Sequence, residues 1–175
     1  MPVKRLQAAL NAFLPDDIVI TSTDEVDLDF HSRFAAKSKI YRYTILNRSS
    51  RSALLKNRVY FYRAPLDTKL MHQEARVLLG EHDFMAFQAT DKLNRVSLRT
   101  IKKIEVIRDG DLIHVDIESD GFGHNMVRII VGTLIEIGRG KFSKGSLKKI
   151  LLSKDRKLAG PTVPPWGLSL VKVKY

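Results

Sequence analysis

Arg128 is a candidate for binding an anion, because its permanent positive charge lies inside an almost wholly apolar stretch. The run from Gly121 to Gly140 reads GFGHNMVRIIVGTLIEIGRG. Its spacing predicts a helix buried nearly all round, with His124 or Asn125 as N-cap and a glycine at its end. An arginine cannot lose its proton, and a buried charge whose partner is removed costs on the order of 3–5 kcal/mol.

Two interpretations of Arg128 remain open. In the first, it is structural and reaches water or pairs with a core carboxylate. In the second, it holds an anionic catalytic group or a phosphate in a half-dry cleft. Gly132, one helical turn further on, leaves room for another backbone or a ligand to approach closely.

Basic and aromatic residues are interleaved in a second stretch. Such cations can contact RNA phosphates, and such rings can stack on an unpaired base, at about 1–3 kcal/mol per base. The alternative is an aromatic core pair with surface lysines, which stays open for Tyr43. Tyr41 is the better stacking candidate because it lies nearest the polar approach. The members are Phe30, His31, Arg33, Phe34, Lys37, Lys39, Tyr41, Arg42 and Tyr43.

One histidine and three acidic residues recur at strand spacing in a third group, His114, Asp116, Glu118 and Asp120. They could hold a divalent ion, as in a nuclease. The pattern is more typical of the wet face of a half-buried strand. The five histidines are scattered and the chain has no cysteine, so we expect no metal site and no thiolate chemistry.

Composition favours a polyanionic partner. The 175 residues, 44% of them hydrophobic, are enough for one core, and we expect a single domain over residues 1–175. Thirty Lys+Arg against nineteen Asp+Glu give a formal charge of +11, which attracts RNA or DNA whatever the fold. No apolar signal or membrane-length run is present in the sequence, so we expect a cytoplasmic protein without a membrane partner.

Periodicity predicts the elements that must position these side chains. Helices are expected over 3–14, from Asp67 as cap to Leu79, in the Arg128 stretch, and over 143–153. Strands are expected over 18–23, 37–46, 59–62, 99–107, 112–119 and 167–175, with 83–87 as a strand or extended turn. The Asp109-Gly110 step predicts a hairpin between the fourth and fifth of these strands.

These elements predict an α+β fold, a mostly antiparallel sheet with helices packed on one face. The Arg128 helix would lie across the sheet. It is apolar on more sides than so few strands can cover, so we expect part of its surface to meet a partner or a part of the protein that is missing from these residues.

Ordered motifs along most of the chain carry a family resemblance. They are DFHSRF (29–34), KIYRY (39–43), GEHDF (80–84), NMVRIIVGTL (125–134), AGPT (159–162), GL (167–168) and the final VKY (173–175). Together they resemble the tRNA pseudouridine synthase A (TruA) family. The resemblance implies half of a pseudouridine synthase fold, homodimers, and cofactor-free isomerisation of uridine in the tRNA anticodon arm.

The resemblance also assigns roles to residues. Tyr41 matches the tyrosine that packs on the target base, Arg128 the arginine that ion-pairs with the catalytic aspartate, and Leu168 falls near a leucine of the uracil pocket. Two segments match RNA contacts: Phe30, His31, Ser32, Arg33 and Phe34, and then Asp91, Lys92, Leu93, Asn94 and Arg95.

The chain departs from the family at the nucleophile. The family's aspartate lies in an Arg-Thr-Asp-Xaa-Gly-Val-His-Ala motif, which is absent from these residues, and Arg99-Thr100-Ile101 lacks the aspartate. We therefore expect no catalytic nucleophile in this chain. The chain is predicted to be a C-terminal segment whose partner is the N-terminal half of the same enzyme. The alternatives are a non-catalytic RNA-binding module, with Arg128 paired to Glu136 or Glu118, and the metal-dependent nuclease.

Overall fold

The computed structural model describes residues 3–89 and 97–175. These residues form two compact units that divide after Ala35, and each is described by itself. The prediction of a single domain over 1–175 stays a prediction.

The first unit contains helix α1, Val3–Asn11, slightly shorter than the predicted 3–14. The predicted strand over 18–23 is wrong, because this segment has no strand partner. Instead, the side-chain amide of Asn11 donates to the Ile20 carbonyl at 2.9 Å and accepts from the Ile20 N–H at 2.7 Å. Gln7 donates to the carbonyls of Ile20 and Thr21 at 3.0 and 2.9 Å. These bonds replace a sheet ladder.

The second unit is built on a six-stranded sheet. The strands are β1 Ser38–Leu46, β2 Tyr60–Phe61, β3 Gly80–Asp83, β4 Leu98–Asp109, β5 Leu112–Ser119 and β6 Leu168–Lys174. Their order is β2-β1-β5-β4-β3, and β6 pairs with β1 on the edge that β2 shares. All pairs are antiparallel except β1 with β2. The α+β, mostly antiparallel prediction is confirmed.

Three helices complete this unit: α2 Thr68–Ala75, α3 Met126–Gly138 and α4 Ser146–Ser153. Asp67 caps α2 as predicted, accepting from the Leu70 N–H at 2.9 Å. The α-helix ends at Ala75 and continues as a 3-10 turn, Arg76–Leu78, short of the predicted Leu79.

Two predicted boundaries are wrong in a more informative way. Helix α4 starts at Ser146 rather than 143, since Gly145 at φ +84° ends the preceding turn. The Glu74 carboxylate accepts from the Gly145 and Leu147 N–H groups at 2.9 and 3.4 Å, so this buried acid satisfies the start of α4. The 83–87 segment ends β3 and continues as a 3-10 turn, Met85–Phe87.

One face of the sheet forms the core. Tyr43, Ile45, Val115 and Ile117 are fully buried on it, and α3 contacts β1 there. Every residue of α3 except Arg128 is buried within the chain. The expectation that a partner covers α3 is therefore wrong, because α2, α4 and the 159–163 segment cover it.

Candidate active site

A cleft of about 270 Å³ opens where β1, β6 and the start of α3 meet. It brings together Tyr41, Arg128 and Leu168, the three residues that the sequence assigned to substrate binding. Its other lining residues are the run from Phe122 to Val127. The structure therefore places residues separated by up to 127 positions in one cavity, although their roles stay predictions.

Arg128 is held in this cleft by two neutral oxygens. Its Nε donates to the Val163 carbonyl and its Nη1 to the Asn125 Oδ1, each at 2.7 Å. A guanidinium carries five N–H donors, so three remain. In residues 3–89 and 97–175, no carboxylate lies within salt-bridge distance of Arg128. The side chain is half-buried, and its charge is oriented but not neutralised.

The carboxylates proposed as internal partners are engaged elsewhere. Glu136 pairs with Arg139 and Lys141 at 2.8 and 2.9 Å. Glu118 pairs with Lys174 at 2.8 Å and accepts from the Ser38 hydroxyl at 2.7 Å. The pairing that the RNA-binding alternative required is thus not the one that forms.

Close backbone packing fixes the Val163 carbonyl. A Cβ at Gly132 would collide with the Pro161 carbonyl oxygen, and one at Gly160 would lie 2.6 Å from the Thr133 nitrogen. The Thr133 hydroxyl accepts from the Gly160 N–H at 2.9 Å. The predicted close approach at Gly132 is therefore confirmed, and another backbone makes it. Because of this contact, the 159–163 segment lies along α3 and reaches Arg128.

Asn125 has a different role from the one predicted. It occupies the N-cap position of α3 but adopts φ +60° and makes no capping bond. Asparagine tolerates this left-handed conformation better than most residues, and its side chain is left free to reach Arg128, three residues later. The signal in the sequence was that spacing, which we interpreted as a helix start alone.

The two tyrosines of β1 differ in environment. Tyr43 is fully buried and its hydroxyl donates to the Pro164 carbonyl at 2.7 Å. Burial, with a smaller contribution from Tyr60, raises the pKa of Tyr43 well above its usual value. Tyr41 is half-buried at the cleft and packs edge-on against Phe122, with ring centroids 5.1 Å apart. Tyr43 is therefore a core residue, and Tyr41 is the one that faces the cavity.

Phe122 is a cleft residue that the sequence analysis missed. It supports Tyr41 from the corner between Gly121 and Gly123. A Cβ at Gly123 would clash with the Gln88 side chain, so the corner needs glycine to bring Phe122 against β1. The Gly-Phe-Gly pattern can be read in the sequence, but its role depends on the contact of Phe122 with Tyr41 of β1, which the sequence does not show.

Leu168 enters the cleft at the first residue of β6. The preceding 3-10 turn, Pro165–Gly167, brings the chain against β1. A Cβ at Gly167 would lie 2.8 Å from the Thr44 carbonyl oxygen. This close approach places Leu168 opposite Tyr43 in the β1–β6 register.

Of the two predicted RNA-contacting segments, the first lies within the described residues and the second does not. Residues 30–34 belong to the first unit, where the His31 and Phe34 rings lie 4.4 Å apart and the Arg33 guanidinium lies 5.6 Å from the Phe34 ring centre. Backbone N–H groups of Arg33 and Phe34 donate to the His31 Nδ1. Arg33 and Phe34 are exposed. Asp91, Lys92, Leu93, Asn94 and Arg95 lie outside the described residues.

In the acidic group at β5, Asp116 and Glu118 form ion pairs and Asp120 is bonded to backbone. Asp116 accepts from the Nε and Nη2 of Arg42, each at 2.7 Å. Asp120 accepts from the Thr100 N–H at 3.0 Å. With Glu118 engaged by Lys174, these oxygens are already bonded. Within the described ranges no three His, Asp or Glu side chains are grouped to hold a metal.

No helix among residues 3–89 and 97–175 has the length and apolarity needed to cross a bilayer.

Comparison with known proteins defines the class. The sequence profile of the family described as tRNA pseudouridine synthase matches residues 75–175. This range contains Arg128, Leu168 and the whole of α3, but begins after Tyr41.

Curated relatives extend the match to the whole chain. A tRNA pseudouridine synthase A from Acetivibrio thermocellus is 46% identical over 175 residues, which are all of this chain and 72% of the relative. A protein named tRNA pseudouridine synthase A 2 from Clostridium perfringens gives the same identity and coverage, and the Clostridium acetobutylicum enzyme is 45% identical. The chain belongs to the tRNA pseudouridine synthase A family.

Proposed function

We propose that this chain supplies the uridine-binding side of a tRNA pseudouridine synthase active site. Tyr41 stacks on a uracil flipped out of the RNA, Leu168 packs against it, and Arg128 receives the catalytic aspartate. That aspartate belongs to the part of the family's length that these residues do not cover. One observation carries the proposal. Arg128 is oriented, has no carboxylate partner among the described residues, and lines the same cleft as Tyr41 and Leu168.

The chemistry is an isomerisation and needs no cofactor. The bond from the sugar to the ring nitrogen breaks and a bond from the same sugar carbon to a ring carbon forms. The ring carbon loses its proton and the ring nitrogen gains one, so atoms balance. Because the aspartate is negatively charged, Arg128 would stabilise its ionised form and fix its direction toward the sugar. Tyr41 lies on the cleft side of β1, where its ring can stay stacked on the base while the base turns in its own plane and presents its carbon to the sugar.

The finer parts of the proposal are supported by the resemblance. They are the choice of the anticodon arm, residues 30–34 and 91–95 as RNA contacts, a homodimer, a cytoplasmic location, and residues 1–175 acting as one C-terminal segment joined to the N-terminal part. The +11 charge supports an RNA partner. The homodimer rests on the family alone, because the apolar surface of α3 is covered within the chain.

The test is complementation. tRNA carrying tritium on the uracil carbon that receives the sugar releases the label when the new bond forms. We expect no release with the 175-residue chain alone, and release when it is fused to a segment with the Arg-Thr-Asp-Xaa-Gly-Val-His-Ala motif. Release by the isolated chain, purified free of host enzyme, would contradict the assignment of the nucleophile. A fusion whose release is unaffected by Arg128→Met would contradict the role of Arg128.

A non-catalytic RNA-binding module is the second candidate. The charge favours it equally, but the unneutralised Arg128 in the cleft does not. In the same experiment it predicts tRNA binding without label release from any fusion.

A further inference from the structure

The segment after β1, which includes β2, is unusually basic. Residues 47–66 contain Arg48, Arg51, Lys56, Arg58 and Arg63, and no Asp or Glu. A run of 20 residues with five cations and no acid is suited to a polyanion. None of these side chains contributes to the cleft around Tyr41.

Three arginines line one depression at this end of the sheet. Arg48, Arg63 and Arg108 surround a pocket of about 410 Å³ together with Asn47, Ser49, Pro65 and Leu66. Arg63 and Arg108 are exposed and Arg48 is half-buried. Among the described residues, the acid paired with these three cations is Asp111, whose Oδ2 lies 3.3 Å from the Arg48 Nη1. Three positive charges thus face one negative charge.

A single buried asparagine assembles this pocket. Asn47 is 8% exposed, and its Nδ2 donates to the carbonyls of Tyr62 and Ala64 at 2.9 and 2.7 Å. These carbonyls flank Arg63 in the chain. Its Oδ1 accepts from the Arg108 Nη2 at 2.9 Å. Asn47 therefore fixes the backbone around Arg63 and the head of Arg108, and its own neighbour in sequence is Arg48.

Neutral groups orient the heads of Arg108 and Arg48. Arg108 also donates to the Leu66 carbonyl at 3.2 Å, from the same Nη2. Arg48 donates from its Nε to the Ser50 carbonyl at 2.8 Å. Carbonyl bonds orient a guanidinium without neutralising it, so the charge remains available to an anion.

We propose that Arg48, Arg63 and Arg108 form a phosphate-binding pocket for the backbone of the RNA substrate, away from the uridine cleft. The proposal rests on the proposed function for the identity of the RNA. Asn47 follows Tyr41 by six positions along β1 and just past its end, which is about 20 Å at 3.3 Å per residue. The pocket therefore fixes the position of the RNA backbone while the cleft takes the base.

The test measures tRNA binding by the 175-residue chain as a function of salt. Removal of one phosphate contact lowers the slope of log K against log salt by about 0.7–0.9, which at about 0.1 M salt is a five- to eightfold weaker affinity. We expect this loss for Arg63→Gln and for Arg48→Gln. Arg63→Lys keeps the charge and should restore the slope. Arg76→Gln is the matched control, because Arg76 is an exposed arginine beyond the end of α2 that does not line the pocket.

Each outcome decides the matter. If tRNA binds and both glutamine variants behave like Arg76→Gln, the pocket proposal is overturned while the proposed function stands. If the unmodified chain shows no salt-dependent tRNA binding, the RNA substrate itself is wrong and both fail. Inorganic phosphate, followed by phosphorus NMR, separates the sources of the anion. Phosphate binding that Arg63→Gln abolishes, with unchanged tRNA affinity, would mean a free-anion site and overturn the proposal.

Discussion

Replacing Asn125 by aspartate tests the state of Arg128 directly. Asn125→Asp keeps the shape of the side chain and the left-handed backbone, but turns the neutral acceptor 2.7 Å from the Arg128 Nη1 into a carboxylate. Two unit charges about 4 Å apart interact by about 1 kcal/mol in water and about 4 at a surface-like dielectric constant. Because Arg128 is half-exposed, the lower part of this range applies. We expect the free energy of unfolding to rise by about 1–2 kcal/mol.

The gain has a defined pH dependence. The Arg128 charge lowers the pKa of the introduced carboxyl in the folded state. Its contribution is therefore present above the unfolded pKa of about 3.9 and is lost as the pH falls through the lower, folded value. Urea unfolding at about pH 7 and about pH 3 measures both. Asn125→Gly is the control, because glycine accepts φ +60° without strain and offers no acceptor.

The same substitution should reduce catalysis. An internal carboxylate competes with the catalytic aspartate for Arg128, and 1–2 kcal/mol of competition lowers kcat/KM by about 5- to 30-fold. In the fusion that carries the aspartate motif, we expect a more stable and less active enzyme. Unchanged stability at neutral pH would show that Arg128 is not held by residue 125. A stability gain with full activity would show that Arg128 does not receive the aspartate.

Two further substitutions test the packing that positions the cleft. Gly132→Ala would ordinarily stabilise a helix interior by about 1 kcal/mol, but the added Cβ meets the Pro161 carbonyl, and we expect net destabilisation of about 1–2 kcal/mol in urea unfolding. Gly138→Ala, which meets the flexible Met71 side chain instead, should cost less, and equal costs would contradict the close contact. Tyr43→Phe leaves the Pro164 carbonyl without its donor and should cost about 1–3 kcal/mol at about pH 8. Burial raises the Tyr43 pKa, so the hydroxyl's contribution to stability is complete below the unfolded pKa of about 10 and is lost as pH rises. The free energies of unfolding of the original chain and of Tyr43→Phe should therefore converge at alkaline pH. A difference that stays constant with pH would refute this.

The sequence predicted elements whose pattern is carried by their own side chains. The β4–β5 hairpin, with Gly110 at φ +55° in its turn, and the α2 cap at Asp67 follow from local rules. The strand predicted over 18–23 failed because the Ile20 backbone is bonded by the amides of Gln7 and Asn11, 13 and 9 residues away. No local propensity reports such a bond.

The cleft was predicted in its members but not in its geometry. Tyr41, Arg128 and Leu168 were singled out by type or by resemblance, and the fold places them together. The Val163 carbonyl was not predictable, because a backbone acceptor has no signature in the sequence. The prediction of a partner for α3 failed because α2, α4 and the 159–163 segment cover the faces that the strands leave.

Arg128 in the cleft and Arg108 in the phosphate-binding pocket are oriented in the same way, by neutral acceptors, and each therefore keeps its charge. In both places a guanidinium is oriented by an asparagine Oδ1 and a backbone carbonyl, at 2.7 Å for Arg128 and at 2.9 and 3.2 Å for Arg108. A carboxylate in place of Asn125 would stabilise the chain more, since an ion pair adds attraction that an amide lacks. It would also fill the position that an external anion must occupy. At Asn125 the neutral acceptor therefore gives up some stability, and in both places it keeps the arginine oriented and charged for an anion from outside the fold.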